Sequence, residues 1–309
     1  MPATAADLWI RSEVGTERTR ATWQTTRLLH ALLAGPASAL AFVRRQEPAP
    51  LDLPPQDEAF VRAGALIDLT RRELRWFGGS DAMHDLPLRA EAVRAVQHAW
   101  PGWSTDWAHG GALSLADRCG VDLSDATALD PPSPLDLTPP APTDWRACPL
   151  TVQHPNGTLV VAPLACDAPA LTLLRADLRS LDEAARQLGA RTWDQPTHTS
   201  LCGGLHLDLA TRTAYVWQAA PLWRAEPRLT ALPGPWTVRW WGHEPRAHLQ
   251  LAHRALRPHD PPNPAAGLLA RVRADLHADP DGLTRAALHT LRELPARAPA
   301  DVLPARSLS

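Results

Sequence analysis

Two stretches decide how this chain is read: Gly64-Ala-Leu-Ile-Asp-Leu-Thr-Arg-Arg-Glu-Leu-Arg-Trp-Phe77 and Gly204-Leu-His-Leu-Asp-Leu-Ala-Thr-Arg-Thr-Ala-Tyr-Val-Trp217. They lie 140 positions apart and match with Asp68 on Asp208, Leu69 on Leu209 and Arg72 on Arg212. Each reads as a strand, a tight turn and a returning strand. A second match follows at a spacing of 133: Pro101-Gly-Trp103-Ser-Thr-Asp-Trp107 against Pro235-Trp236-Thr-Val-Arg-Trp240, after which Leu113 and Leu115 fall near Leu249 and Leu251. Side chains alternate along a strand, so Trp103, Thr105 and Trp107 share one face and Trp236, Val238 and Trp240 the matching face. Ser104, Asp106, Thr237, Arg239 and Trp241 take the other side. One buried and one exposed face is the pattern of an antiparallel sheet covered on one side. The expected fold is α+β: two diverged antiparallel sheet-plus-helix repeats with an N-terminal helical segment and a C-terminal helix pair.

Proline clusters at 48–55, 131–149 and 258–264 divide the chain outside these matches. Proline fixes φ, lacks an N–H and pushes its predecessor out of the helical region, so the clusters read as extended connectors. The predicted organisation is an N-terminal helical segment at 1–47, a first repeat at 56–130, a Pro-rich linker at 131–149, a second repeat at 150–257 and a helical hairpin at 264–295. Thr16 can cap a helix over 16–33 that Gly35 ends. The apolar run 28–43 has 16 residues and is broken by Gly35-Pro36; a membrane span needs about 20, so a buried helix pair is expected. In the second repeat, Asn156-Gly157 between apolar strands predicts a hairpin over 151–161, and a helix is expected over 180–188. Towards the end, helices are expected over 264–277 and 280–294. The stretch 276–294, with its Asp279-Pro280-Asp281 corner and the following Arg285 and alanines, resembles a HEAT-type helix pair, but a solenoid needs about three units and no neighbours are found, which leaves a packing hairpin.

Composition excludes more than it assigns. The chain has 309 residues, 45% apolar and 21% charged, which fits a globular protein rather than a disordered or fibrous one. Its net charge of −2 offers no bulk attraction for a polyanion. All 31 basic residues are arginine, and isoleucine occurs only at Ile10 and Ile67, the mark of a GC-rich (bacterial) genome more than of phosphate chemistry. The 13 tryptophans share that cause in part. Cys119, Cys148, Cys166 and Cys202 form no C-x-x-C pair, and the first residues lack a basic, then apolar, leader, so a cytoplasmic protein is expected. Nucleophile-elbow, P-loop and dinucleotide fingerprints are missing, so no cofactor is expected.

Three sets of side chains remain. Asp68 and Asp208 could form an acid–base pair, but each precedes a tight turn whose N–H groups its carboxylate can accept. His206, Asp208, His243 and His248 could hold Zn or Mn for a hydrolase. His243 and His248 nevertheless miss the H-E-x-x-H spacing by one residue, and Pro245 interrupts them. Trp241, Arg239, Asp106 and Arg75 lie on the predicted outer faces, with the stacking and charge that suit ligand or partner contact, although without the basic stripe of a nucleic-acid platform. Cys202, beside Gly203-Gly204, has no histidine placed near it by sequence. The leading expectation is therefore a non-catalytic binding or adaptor protein, using the cleft or exposed sheet faces for a protein or small-molecule partner, with no membrane contact. A metal-dependent hydrolase stands second and single-stranded nucleic-acid binding third.

Overall fold

The computed structural model describes residues 5–22, 25–52, 61–78, 84–123, 146–164, 166, 168–187, 200–252, 256, 263–275 and 282–295. A first unit runs β1 (Ala5–Ser12), β2 (Gly15–Thr22), α1 (Thr25–Leu33), α2 (Pro36–Arg44), β3 (Glu47–Pro48), β4 (Val61–Asp68), β5 (Glu73–Phe77), α3 (Leu86–Ala99), β6 (Ser104–Trp107) and α4 (Gly111–Arg118). A second has the same succession: β7 (Arg146–Gln153), β8 (Leu159–Leu164), α5 (Pro169–Leu174), α6 (Ser180–Gln187), β9 (Ser200–Leu201), β10 (Gly203–Asp208), β11 (Thr213–Gln218), α7 (Ala225–Thr230), β12 (Thr237–Trp240) and α8 (Arg246–Leu251). Helices α9 (Pro264–Ala274) and α10 (Leu283–Glu293) close the described chain.

The fold is α+β with two sheet units. Strand order is β3-β2-β1-β4-β5-β6 in one and β8-β7-β10-β11-β12 in the other, with short β9 beside the start of β7. The two quoted stretches fold alike. Gly64 faces Phe77 and Asp68 faces Glu73, just as Gly204 faces Trp217 and Asp208 faces Thr213. Arg72 and Arg212 both take left-handed backbone, at φ 51° and 50°, a conformation uncommon outside glycine. Each then accepts from the next edge strand: Ser104 N donates to Arg72 O at 2.9 Å and Thr237 N to Arg212 O at 3.0 Å.

Neither sheet is purely antiparallel, contrary to the pattern-based expectation. β1 pairs parallel with β4 and β5 with β6; β7 pairs parallel with β10 and β11 with β12. The reason is connectivity: a strand that returns through helices arrives parallel to its neighbour, and α3 and α7 are such crossovers.

The N-terminal segment also differs. Its helix starts at Thr25, while Gly15–Thr22 is strand β2, paired antiparallel to β1 from Ser12↔Gly15 to Ala5↔Thr22. Threonine is a poor helix former and a good strand former, and here the partner strand decides. β1 lies between β2 and β4, so β1, β2 and β3 belong to the same sheet as β4, β5 and β6. The expected helix pair is present as α1 and α2, joined at Gly35 with φ 89°.

Of the expected 131–149 linker, 131–145 lie outside the described residues and 146–149 form the start of β7. Pro149 sits where β7 passes from β9, paired up to Ala147↔Leu201, to β10, paired from Leu150↔Leu205. The missing N–H is tolerated at such a break. The hairpin turn at Asn156-Gly157 is as expected, with Gly157 at φ 85°.

Apolar burial makes two principal cores. The first joins Leu8, Ile10, Ile67, Trp76 and Val96 with Leu268, Val272 and Leu288 of the C-terminal pair. That pair is the expected packing hairpin, tied down where Thr290 Oγ1 donates to Leu33 O at 2.7 Å. The second joins Leu150, Val152, Leu205, Leu207, Val216 and Val238 with Leu173, Leu181 and Leu229 of the helices on one side of the sheet. Between the units, Arg89 of α3 donates to Ala219 O at 2.7 Å and its guanidinium lies 4.6 Å from the Trp107 ring centroid. Among the described residues no helix is long and apolar enough to cross a membrane.

Candidate functional site

One row of side chains crosses each sheet on the face away from α1 to α3, or from α5 to α7. In the first sheet the register sets Arg18, Trp9, Leu66, Arg75 and Asp106 side by side. In the second the corresponding row is Val161, Thr151, His206, Tyr215 and Arg239. The helix after the last strand covers each row beside a glycine. A Cβ on Gly64 would collide with Phe77 and the Asp7 carbonyl and press on Leu115, and one on Gly204 would collide with Trp217 and His248. Leu115 and His248 are therefore counterparts, so the spacing of 133 continues into the helix and Leu115 does not pair with Leu251 as expected.

The first row is closed. Trp9 and Leu66 are buried, Arg18 lies 4.7 Å over the Trp9 ring, and Arg75 pairs with Glu73 and, at 3.4 Å, with Asp106. The second row buries polar groups instead: Thr151, His206 and His248 are 0%, 2% and 1% exposed. They are hydrogen-bonded in sequence. Trp217 Nε1 meets His248 Nδ1 at 3.1 Å, His248 Nε2 meets Thr151 Oγ1 at 2.8 Å, and Thr151 Oγ1 meets His206 Nδ1 at 2.9 Å.

The direction of this chain follows from its first member. An indole N–H can only donate, so His248 Nδ1 accepts and the neutral ring carries its proton on Nε2. Nε2–H donates to Thr151, whose hydroxyl hydrogen passes on to His206 Nδ1. With Nδ1 accepting, the neutral His206 ring carries its proton on Nε2, and the Thr151 backbone also hydrogen-bonds to this ring. Both rings stay neutral near pH 7. Burial lowers His206 to about 4, against a weaker opposing pull from Asp208, and burial with the neighbouring His206 lowers His248 to about 3.

Gly204→Ala is expected to break this chain, because the added methyl falls on His248 and Trp217 together. A loss of about 2–3 kcal/mol should appear in urea unfolding. A loss below about 0.5 kcal/mol would mean that the helix α8 yields freely.

Aromatic rings rise beside the chain. Tyr215 and Trp241 stack with centroids 4.9 Å apart and planes 23° apart, and Trp241 lies 10° from parallel to His206 at 5.8 Å. Tyr215 and Trp241 are half-buried and Arg239 is exposed. Trp241 thus faces away from Trp236 and Trp240, as the alternation predicts, but as one wall of a cluster rather than an isolated contact residue. Arg75 and Asp106 were expected to meet a ligand; they meet each other.

The proposed metal set does not converge. His206 and His248 are bridged by Thr151, whereas His243 stacks on His109 of the first unit at 4.5 Å with its Nδ1 3.1 Å from Gln218 O. Asp208 Oδ1 accepts from Ala210 N at 2.9 Å and Thr211 N at 3.2 Å, as Asp68 Oδ1 does from Arg71 N at 2.9 Å, so both aspartates serve their turns. Burial raises the Asp208 pKa, but the turn bonds outweigh it and leave the carboxylate below its ordinary range. Pro245 precedes α8 as its N-cap, and His248 is the buried residue of that helix. Among the described residues no group of three or more His, Cys, Asp or Glu side chains is disposed to hold a metal ion. Cys202 Sγ is buried 3.4 Å from Cys148 Sγ.

Sequence reasoning missed Thr151, Trp217 and Tyr215. One signal was available: in the matched stretches His206 occupies the place of Leu66, a polar residue in an otherwise buried strand. Thr151 opposite Trp9 becomes visible only once β7 is set against β1. Comparison with protein families, with curated proteins and with solved structures finds no match to this chain.

Proposed function

We propose that this chain is a non-catalytic binding protein that reads its ligand on the outer face of the second sheet, and that its two units descend from one copied module. One observation carries the reading. Where the first unit is filled by Trp9, Leu66, Phe77 and Leu115, the second buries the bonded set Thr151, His206, Trp217 and His248. A buried polar network is no more stable than apolar packing of the same shape and is harmful when incomplete. The first unit folds with apolar residues at those positions, so the polar set serves a purpose other than folding. The half-buried rings of Tyr215 and Trp241 beside it supply the contact area.

Binding is favoured over catalysis by the state of the groups. The Thr151 hydroxyl both donates and accepts and is fully buried, so it is no nucleophile. The net charge of −2 disfavours a nucleic-acid ligand. A ligand-observed NMR screen of small planar and non-planar fragments tests the reading against a Thr151→Val, His206→Leu, His248→Leu variant, which installs first-unit-like packing. Fragments held by the native chain should be released by the variant. Fragments bound alike by both, or a native chain that holds none, would defeat the proposal.

A further inference from the structure

Resting on that reading, we infer that the ligand of the second sheet is a small planar ring bearing a single carboxylate. Shape comes first: Tyr215, Trp241 and His206 present ring planes within 33° of one another. His206 and Tyr215, whose planes differ by 33°, complete the curve of the wall. A planar ring joins such a group by offset stacking, whereas an aliphatic ring gains contact area alone.

Polarity comes second. The hydrogen-bond chain ends on His206 Nε2–H, a donor in a residue only 2% exposed. It asks for an acceptor on the ligand and rejects a donor or cation there.

Charge comes third. Arg239 is paired in register with Tyr215 and rises from the same face, exposed, with no acidic partner among the described residues. Its counterpart in the first sheet is Asp106, paired with Arg75. Asp208, two residues after His206 on the same strand face, is committed to the turn N–H groups of Ala210 and Thr211. Glu244, beyond the strand, lies where it acts on Arg89. A lone guanidinium suits a carboxylate through its two-pronged geometry; a phosphate dianion would call for a second cation.

The probes are 2-naphthoate, its neutral amide 2-naphthamide, cyclohexanecarboxylate and phenyl phosphate. Each is titrated into the full chain by calorimetry, with the His206 ring nitrogens followed by NMR. Naphthoate should bind about tenfold or more tightly than the other three and shift the His206 Nε2 signal. Arg239→Gln should remove the advantage of naphthoate over naphthamide without changing the unfolding midpoint. Naphthamide or phenyl phosphate binding as tightly as naphthoate, with His206 shifted, would overturn the carboxylate and leave the binding face standing. No probe shifting His206 would overturn both.

Discussion

Asp7→Ala is expected to lower stability by about 3–5 kcal/mol, seen as a fall in urea midpoint at unchanged slope. Asp7 is 1% exposed, and Arg18 reaches it through Nε at 3.2 Å and Nη2 at 3.1 Å, with Arg20 at 3.8 Å. Arg18 is itself buried, spanning from Asp7 to Pro50 O at 2.8 Å across the Trp9 ring. Removing the carboxylate takes the Asp7 charge away from a guanidinium held in low dielectric. That loss is far larger than the net worth of the pair, because burying both charges already consumed most of their attraction. The second unit makes the point internally: Pro149 and Val161 stand at the corresponding register positions, and that sheet packs without an ion pair there. The double variant Asp7→Leu, Arg18→Met should therefore recover most of what Asp7→Ala loses. A single variant costing less than about 1 kcal/mol, or a double variant less stable than the single, would contradict this account.

The same contrast between units explains what could be read in the sequence. Spacings of 140 and 133 placed the hairpins and the tryptophan strands because those features are local: a turn after Asp68 or Asp208, and alternation around Trp103 or Trp236. Sheet direction was not legible, since alternation is identical in parallel and antiparallel strands and only the connections decide it: α3 and α7 for the edge pairs, and the segments carrying α1–α2 and α5–α6 for β1–β4 and β7–β10. β2 was misread because threonine, arginine and alanine at 16–22 satisfy a helical stripe until β1 is known to lie alongside. The site escaped for a similar reason. His206 and His248 are visible as histidines, but their meaning depends on Thr151, which comes from β7 through parallel pairing, and on α8 folding His248 back over Gly204. Spacing suggested a metal; three-dimensional placement gives a hydroxyl between two neutral rings.

Those neutral rings make the chain sensitive to acid in a way that can be calculated. Burial lowers His206 and His243 to about 4 and His248 to about 3; for His243 the neighbouring His109 and Arg89 add to the effect. The ordinary value is 6.5, so the unfolded chain takes up protons first as the pH falls. Stability contributed by a group depressed in the folded state is whole above its unfolded pKa, and is lost between that value and the folded one. The window therefore opens near pH 6.5 and closes near pH 4 for His206 and His243, and near pH 3 for His248. Three such groups together give a slope of roughly 4 kcal/mol per pH unit and a loss of about 10 kcal/mol by pH 4, so a chain in the lower half of the ordinary range of about 5–15 kcal/mol should unfold before pH 4. Urea midpoints measured from pH 7 downward should fall with that steepness. The Thr151→Val, His206→Leu, His248→Leu variant removes two of the three groups and should fall with about a third of the slope, leaving His243 at the contact between units as the main acid-sensitive group. Parallel curves for the two proteins would mean that His206 and His248 are not held neutral by the fold, and the directed chain from Trp217 to His206 would have to be abandoned.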